Sequence, residues 1–238
     1  MTFPSNNHPE DHWVSVSDLM AGLMMIFLFI SVSYMMQVNT ERAQIKDVAV
    51  TYSRLQSNLY DDLLNEFTND LKKWNAEIDR ETLSVRFKEP DVLFERGKSN
   101  LKVEFVEILK DFFPRYVSII GSNKYKGDIE EIRIEGHTSS EGLTKYQTEQ
   151  QAYLYNMKLS QDRTRSVLKY ILSLNALISF DDDDWLRLHL TANGLSSSKT
   201  ITNSKGIEDK KLSRRVEFRI KTNAEKRIIE ILEKSQTS

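Results

Sequence analysis

Residues 13–37 read WVSVSDLMAGLMMIFLFISVSYMMQ. From Val14 to Met36 this run holds one charged side chain, Asp18. As a helix rising about 1.5 Å per residue it is long enough to cross a hydrocarbon core of about 30 Å. A carboxylate within such a helix costs roughly 2.5–3.5 kcal/mol on insertion scales, which marks Asp18 as a functional group. The competing reading is a helix cap at the membrane surface, but Val14 and Val16 lie on the outer side of it.

On the N-terminal side, residues 1–12 (MTFPSNNHPEDH) contain no Lys or Arg, and Met35, Met36 and Gln37 do not form a small-residue cleavage site. The run is therefore expected to be an uncleaved anchor behind a short tail. Arg42 and Lys46 follow it, so the positive-inside count puts the C-terminal side in the cytoplasm. The motifs below argue for the opposite orientation. With 39% hydrophobic and 29% charged residues in 238, the rest of the chain reads as soluble, with room for a linker and one domain. A net charge of −2 gives no expectation of direct nucleic-acid binding. The absence of Cys excludes disulfides and Cys-based zinc sites.

Beyond the span, Ile45, Val48, Tyr52, Leu55, Leu59, Leu63, Phe67, Leu71, Trp74 and Ile78 are spaced by 3 or 4 with no Pro or Gly between them. This predicts a helix over 38–79, packed either on its own domain or on a second copy. From Thr82 the period changes. LSVRF at 83–87, DIEEIRIE at 128–135, WLRLHLT at 185–191 and RVEFRIK at 215–221 alternate as strands. Residues 99–113 return to helical spacing, with Ser99 or Asn100 as N-cap and Pro114 near the stop. Helices are also expected over 144–173 and 224–234. The order predicts an α+β sandwich, with helices on one face of a mixed sheet. Asp181–Asp184 lacks the spacing of a calcium loop and reads as a solvated turn. No nucleophile–base set, phosphate loop or catalytic carboxylate pair points to an enzyme, and no metal or cofactor is expected.

Three motifs follow in order: IRIEGHTSSEG at 132–142, YNMKLSQDRTRSVLKYIL at 155–172 and LSRRVEFRI at 212–220. Together they resemble the C-terminal domain of the OmpA family, over roughly 82–222. That resemblance implies a peptidoglycan-binding fold. By motif position it assigns Asn156, Leu159 and Arg163 to the binding face, with Tyr155 beside it. Asn156 and Arg163 are seven residues apart, two helical turns, and so share a face. The guanidinium fork of Arg163 suits a carboxylate such as that of a stem peptide. The family has Asp after Gly-His-Thr, where this chain has Ser139; that aspartate grips the ammonium of diaminopimelate. Ser213 replaces an Asn and bears on packing, and His137 is expected to hold its loop by hydrogen bonds.

The stretch from Trp13 to Met25, with Asp18 preceded by Val16–Ser17, is similar to the Trp…Asp-x-Met signature of flagellar stator B subunits (MotB-like). The wording SDLMAGLMMIFLFISVS is closer to the B subunits of the Zorya anti-phage defence system. This resemblance implies a homodimer whose two helices sit inside a pentameric ring of MotA-like A-type subunits. Asp18 then takes up and releases protons. It also implies an inner-membrane, single-pass protein with residues 1–12 cytoplasmic and the C-terminal domain periplasmic. Ser15 and Ser17 read as small residues at a helix interface. The expected division is a tail at 1–12, a span at 13–37, a helical neck at 38–80, an OmpA-like domain at 81–223 and a C-terminal helix and tail at 224–238. Two other readings stay open: a flagellar-type stator subunit, and a passive peptidoglycan anchor in which Asp18 is dispensable.

Overall fold

The computed structural model describes residues 10–88, 93–95, 97–141, 148–178, 183–224, 226, 228, 229 and 233. It divides into two units, Met1–Val50 with Lys226–Ser238, and Thr51–Glu225. Helix α1, Glu10–Leu71, contributes to both. Its N-terminal part is the one helix among the described residues long and apolar enough to cross a membrane. There Leu19, Met24, Phe29 and Met35 are exposed, with no protein packed on them. Residues 224, 226, 228, 229 and 233 are helical, as the spacing predicts, and the remainder of 224–238 lies outside the described residues.

The second unit is built on a five-stranded sheet in the order β1-β2-β5-β3-β4. Its strands are β1 Ala76–Asp79, β2 Ser84–Lys88, β3 Ile129–His137, β4 Leu190–Gly194 and β5 Arg215–Thr222. Neighbours pair antiparallel except β3 and β4, which run parallel with Ile132 opposite Leu190. The other helices are α2 Val103–Ile120, α3 Glu149–Ile178, α4 Asp183–His189 and α5 Lys210–Ser213.

Alternation sorts the strands into two faces. Val85, Phe87, Ile132, Ile134, Val216, Phe218 and Ile220 form one core with Leu59, Leu63 and Phe67 of α1, the apolar stripe of α2, and Val167 and Ile171 of α3. Phe112 sits at its centre, with ring centroids 5.0–6.0 Å from Phe67, Trp74, Phe87, Tyr116 and Phe218. The opposite face carries Arg86, Glu135, His137, Arg215 and Glu217.

Several sequence expectations are corrected here. The neck helix stops at Leu71 rather than 79, because Asn75 adopts φ 48° and turns the chain into β1. From Leu55 onward the stripe packs into its own domain, leaving only Ile45, Val48 and Tyr52 half-buried before it. Helix α2 begins at Val103, not after Ser99 or Asn100, because Leu101 bridges Phe94 and the Lys102 N–H donates to Leu93 O at 3.0 Å. Pro114 lies inside α2, which runs on to Ile120 because Tyr116, Val117 and Ile120 are buried. Residues 185–189 are helical, and β4 starts only at Leu190. Trp185 and Leu186 are buried side by side, which no alternating strand allows, and His189 Nδ1 lies 2.7 Å from Trp185 O one turn back. Helix α3 spans Glu149–Ile178 against an expected 144–173, and 142–147 and 181–182 lie outside the described residues.

Candidate functional site

The site gathers where β3 ends and α3 crosses the sheet. A Cβ on Gly136 would lie 2.9 Å from Ser160 O, and one on Gly194 would lie 2.3 Å from the Gln161 backbone nitrogen. The two glycines let the α3 backbone approach β3 and β4 more closely than any side chain permits. This brings the middle of α3 beside the loop that leaves β3 at Thr138. The Thr138 N–H donates to Ser196 O at 2.9 Å, and the Ser196 N–H donates to Ser160 Oγ at 3.1 Å. Ser196 itself sits at φ 53°.

Asn156 is buried, and its side-chain amide donates to Ser139 O and to Glu141 O, both at 3.1 Å. It thereby fixes the loop that carries Ser139. Two turns on, Arg163 is 7% exposed. Its Nε donates to Lys98 O at 3.0 Å, and its guanidinium carbon lies 4.9 Å from the Phe94 ring centroid. A guanidinium drawn out of water over an aromatic ring makes a strong carboxylate partner. Ser139 is buried beside Asn156, while Tyr155 and Leu159 are half-buried on the same two turns of α3. The helix thus brings Asn156, Leu159 and Arg163 together, and Asn156 ties Ser139 to them. Asp18 belongs to the other unit.

His137 corrects an expectation: it does not hold the loop. Among the described residues neither ring nitrogen has a hydrogen-bond partner, and Nε2 lies 3.6 Å from Glu135 Oε2 and 3.9 Å from Glu217 Oε1. The three residues are buried and close enough to hold a cation. Glu217 Oε1, however, already accepts from Arg86 Nε at 2.8 Å and from Arg215 Nε. Burial works to raise the Glu217 carboxyl, but the two guanidiniums outweigh it and hold the group down at about 2. A divalent ion here would face two arginines, so the protein's own cations balance this cluster. Ser213 is a packing residue, as its motif position suggests. It is fully buried, and its Oγ accepts from the Ile201 N–H at 2.9 Å.

Sequence reading missed Phe94, Lys98, Ser160, Ser196 and Glu208. The first two lie in a stretch without periodicity, and Glu208 sits at the base of a hairpin 68 residues from its partner, Ser140. Ser160 lies inside the quoted 155–172 motif, which was the one signal that could have found any of them.

A scan of family models matches residues 93–214 to the OmpA family. Among curated proteins, Zorya protein ZorB of Escherichia coli is 47% identical over 232 residues, covering 97% of this chain and 96% of that protein. A second Zorya protein ZorB, from Escherichia coli O139:H28, is 26% identical over 91% of this chain and 82% of its own. The crystal structure of the periplasmic domain of Helicobacter pylori MotB aligns with a TM-score of 0.41 at 18% identity, covering 63% of this chain and 84% of that one. The chain belongs to the ZorB family of Zorya proteins, and residues 93–214 are its OmpA-family domain.

Proposed function

We propose that this protein is the peptidoglycan-anchored B subunit of an ion-driven, stator-like complex of the inner membrane that acts in anti-phage defence. One observation carries the reading: a single chain joins a membrane-length helix bearing one carboxylate, Asp18, to an OmpA-family domain. A group that is neutral against apolar walls and charged in a polar path can ferry a proton. Each charge crossing the membrane yields about 2.3 kcal/mol per 100 mV, several times RT. Torque also needs one part held still, and the cell wall is the fixed object outside the membrane. That places residues 1–12 in the cytoplasm and the OmpA-family domain in the periplasm, against the slight positive-inside count, which is a poor guide for long translocated domains.

In this reading two copies pair through the span and the adjoining part of α1, inside a pentameric ring of A-type subunits. Arg163, with Tyr155, Leu159, Ser139 and Asn156 around it, holds the wall. The subunit is a structural and ion-carrying component rather than an enzyme. Asp18→Asn keeps the side-chain volume and removes the titration. The variant should insert and assemble with its A-type partner but lose phage protection. Full protection by Asp18→Asn would leave a passive anchor as the function.

A further inference from the structure

Residues 201–209 form a hairpin. The Asn203 N–H donates to Ile207 O at 2.8 Å, the Asp209 N–H donates to Ile201 O at 2.7 Å, and Gly206 takes φ 74° at the turn. Its base delivers Glu208 to the loop that leaves β3. Glu208 Oε1 accepts from the Ser140 N–H at 3.0 Å, and Oε2 accepts from Ser140 Oγ. Both donors are neutral, and among the described residues no Lys or Arg pairs with Glu208. The neighbouring acid differs. Glu141 lies 2.6 Å from Lys210 Nζ and 3.7 Å from Arg214 Nη1, so its charge is already met. A half-buried carboxylate held in place by two neutral donors has acceptor sites that a cationic donor can complete.

Glu208 is attached at Ser140, the residue following Ser139, where the family pattern has aspartate. Asn156 grips the carbonyls on both sides of Ser140, and Arg163 lies about 10 Å further along α3. The site therefore presents a guanidinium at one end and, at the other, a carboxylate that no Lys or Arg among the described residues pairs with. We propose that Glu208 is the specificity-determining residue that receives the primary ammonium of the stem peptide, supplying from the 201–209 hairpin the charge that Ser139 does not. This rests on the peptidoglycan reading, and it names the part of the wall that is recognised: a peptide carrying both a free carboxylate and a free amine.

The test uses the full chain in detergent, sedimented with purified diaminopimelate-containing sacculi and with the same sacculi N-acetylated by acetic anhydride. Wild type should bind acetylated sacculi about tenfold more weakly than native ones. Glu208→Gln should show the weak affinity on both, and Glu130→Gln, at the other end of β3 in an ion pair with Lys221, should behave as wild type. The wild-type comparison stands whether or not a variant folds. Wild-type binding indifferent to acetylation, or Glu208→Gln binding native sacculi as tightly as wild type, overturns the assignment and leaves the peptidoglycan reading intact. Wild type that binds neither preparation overturns both.

Discussion

Arg86 Nε donates to Glu217 Oε1 at 2.8 Å, from β2 to β5, on a carboxylate whose side chain is 4% exposed. Arg215 donates to the same oxygen, and Arg86 also reaches Glu77 and Asp79. These bonds tie three adjacent strands together on the side of the sheet away from the apolar core.

This cluster predicts an acid-sensitive fold. The Glu217 carboxyl is held at about 2, against 4.5 as its ordinary value. Its folded form is thus favoured in the charged state. The resulting stability is complete above about 4.5 and disappears as pH falls from there towards 2. Glu217→Gln should flatten the melting temperature across that window. At pH 7 the same change should destabilise by about 3–5 kcal/mol, because the buried Arg215 loses its carboxylate partner and Arg86 keeps only Glu77 and Asp79. Thermal melts of both proteins from pH 2 to 7 would check this. Parallel curves would mean that other carboxylates carry the acid sensitivity.

A second prediction concerns the end of α1. Leu63 is fully buried among residues of the sheet core. Leu63→Ala should destabilise the domain by about 2–5 kcal/mol. Chemical denaturation followed by Trp fluorescence is a suitable measurement, since Trp74 and Trp185 lie in that core. A loss below about 1 kcal/mol would mean that the last turns of α1 are an appendage to the domain.

Pairing of two copies is expected to use the part of α1 that its own domain leaves free. Ile45 is half-buried in the first unit, whereas Leu55 packs against the core of the second. Ile45→Cys should give disulfide-linked dimers in membranes under mild oxidation, and Leu55→Cys should give few. The reverse pattern would require the 55–71 segment to leave its core.

Wall binding should depend on the α3 face. Replacing Tyr155, Asn156, Leu159 and Arg163 together by Ala should leave a folded protein that no longer sediments with purified peptidoglycan. Arg163→Ala alone removes a charge-assisted bond worth roughly 1.5–3 kcal/mol, or about tenfold to a hundredfold in affinity. Asn156→Ala should act differently, through the loop. It frees the carbonyls of Ser139 and Glu141, and backbone amide exchange should rise at 139–141 before affinity falls. Undiminished sedimentation of the quadruple variant would detach the OmpA-family fold from its ligand here.

Strands β2, β3 and β5 were legible from alternation, and the span from its unbroken apolar run, because those signals are local and repeat along the chain. The Gly136, Asn156 and Arg163 motifs were legible too, since residue type and spacing alone carry them. Tertiary structure decided what such signals leave degenerate. A spacing of 3 or 4 through Trp74 and Ile78 fits a helix equally well, and only pairing with β2 made Ala76–Asp79 a strand. The stripe from Leu55 to Leu71 could have met a second copy or its own sheet, and burial against Phe112 and its neighbours chose the sheet. The amide of Asn156 and the carboxylate of Glu208 acquired their partners from residues 15 to 68 positions away. Local periodicity marks which face of an element is buried, but the partner it meets is settled only when the chain closes those distances.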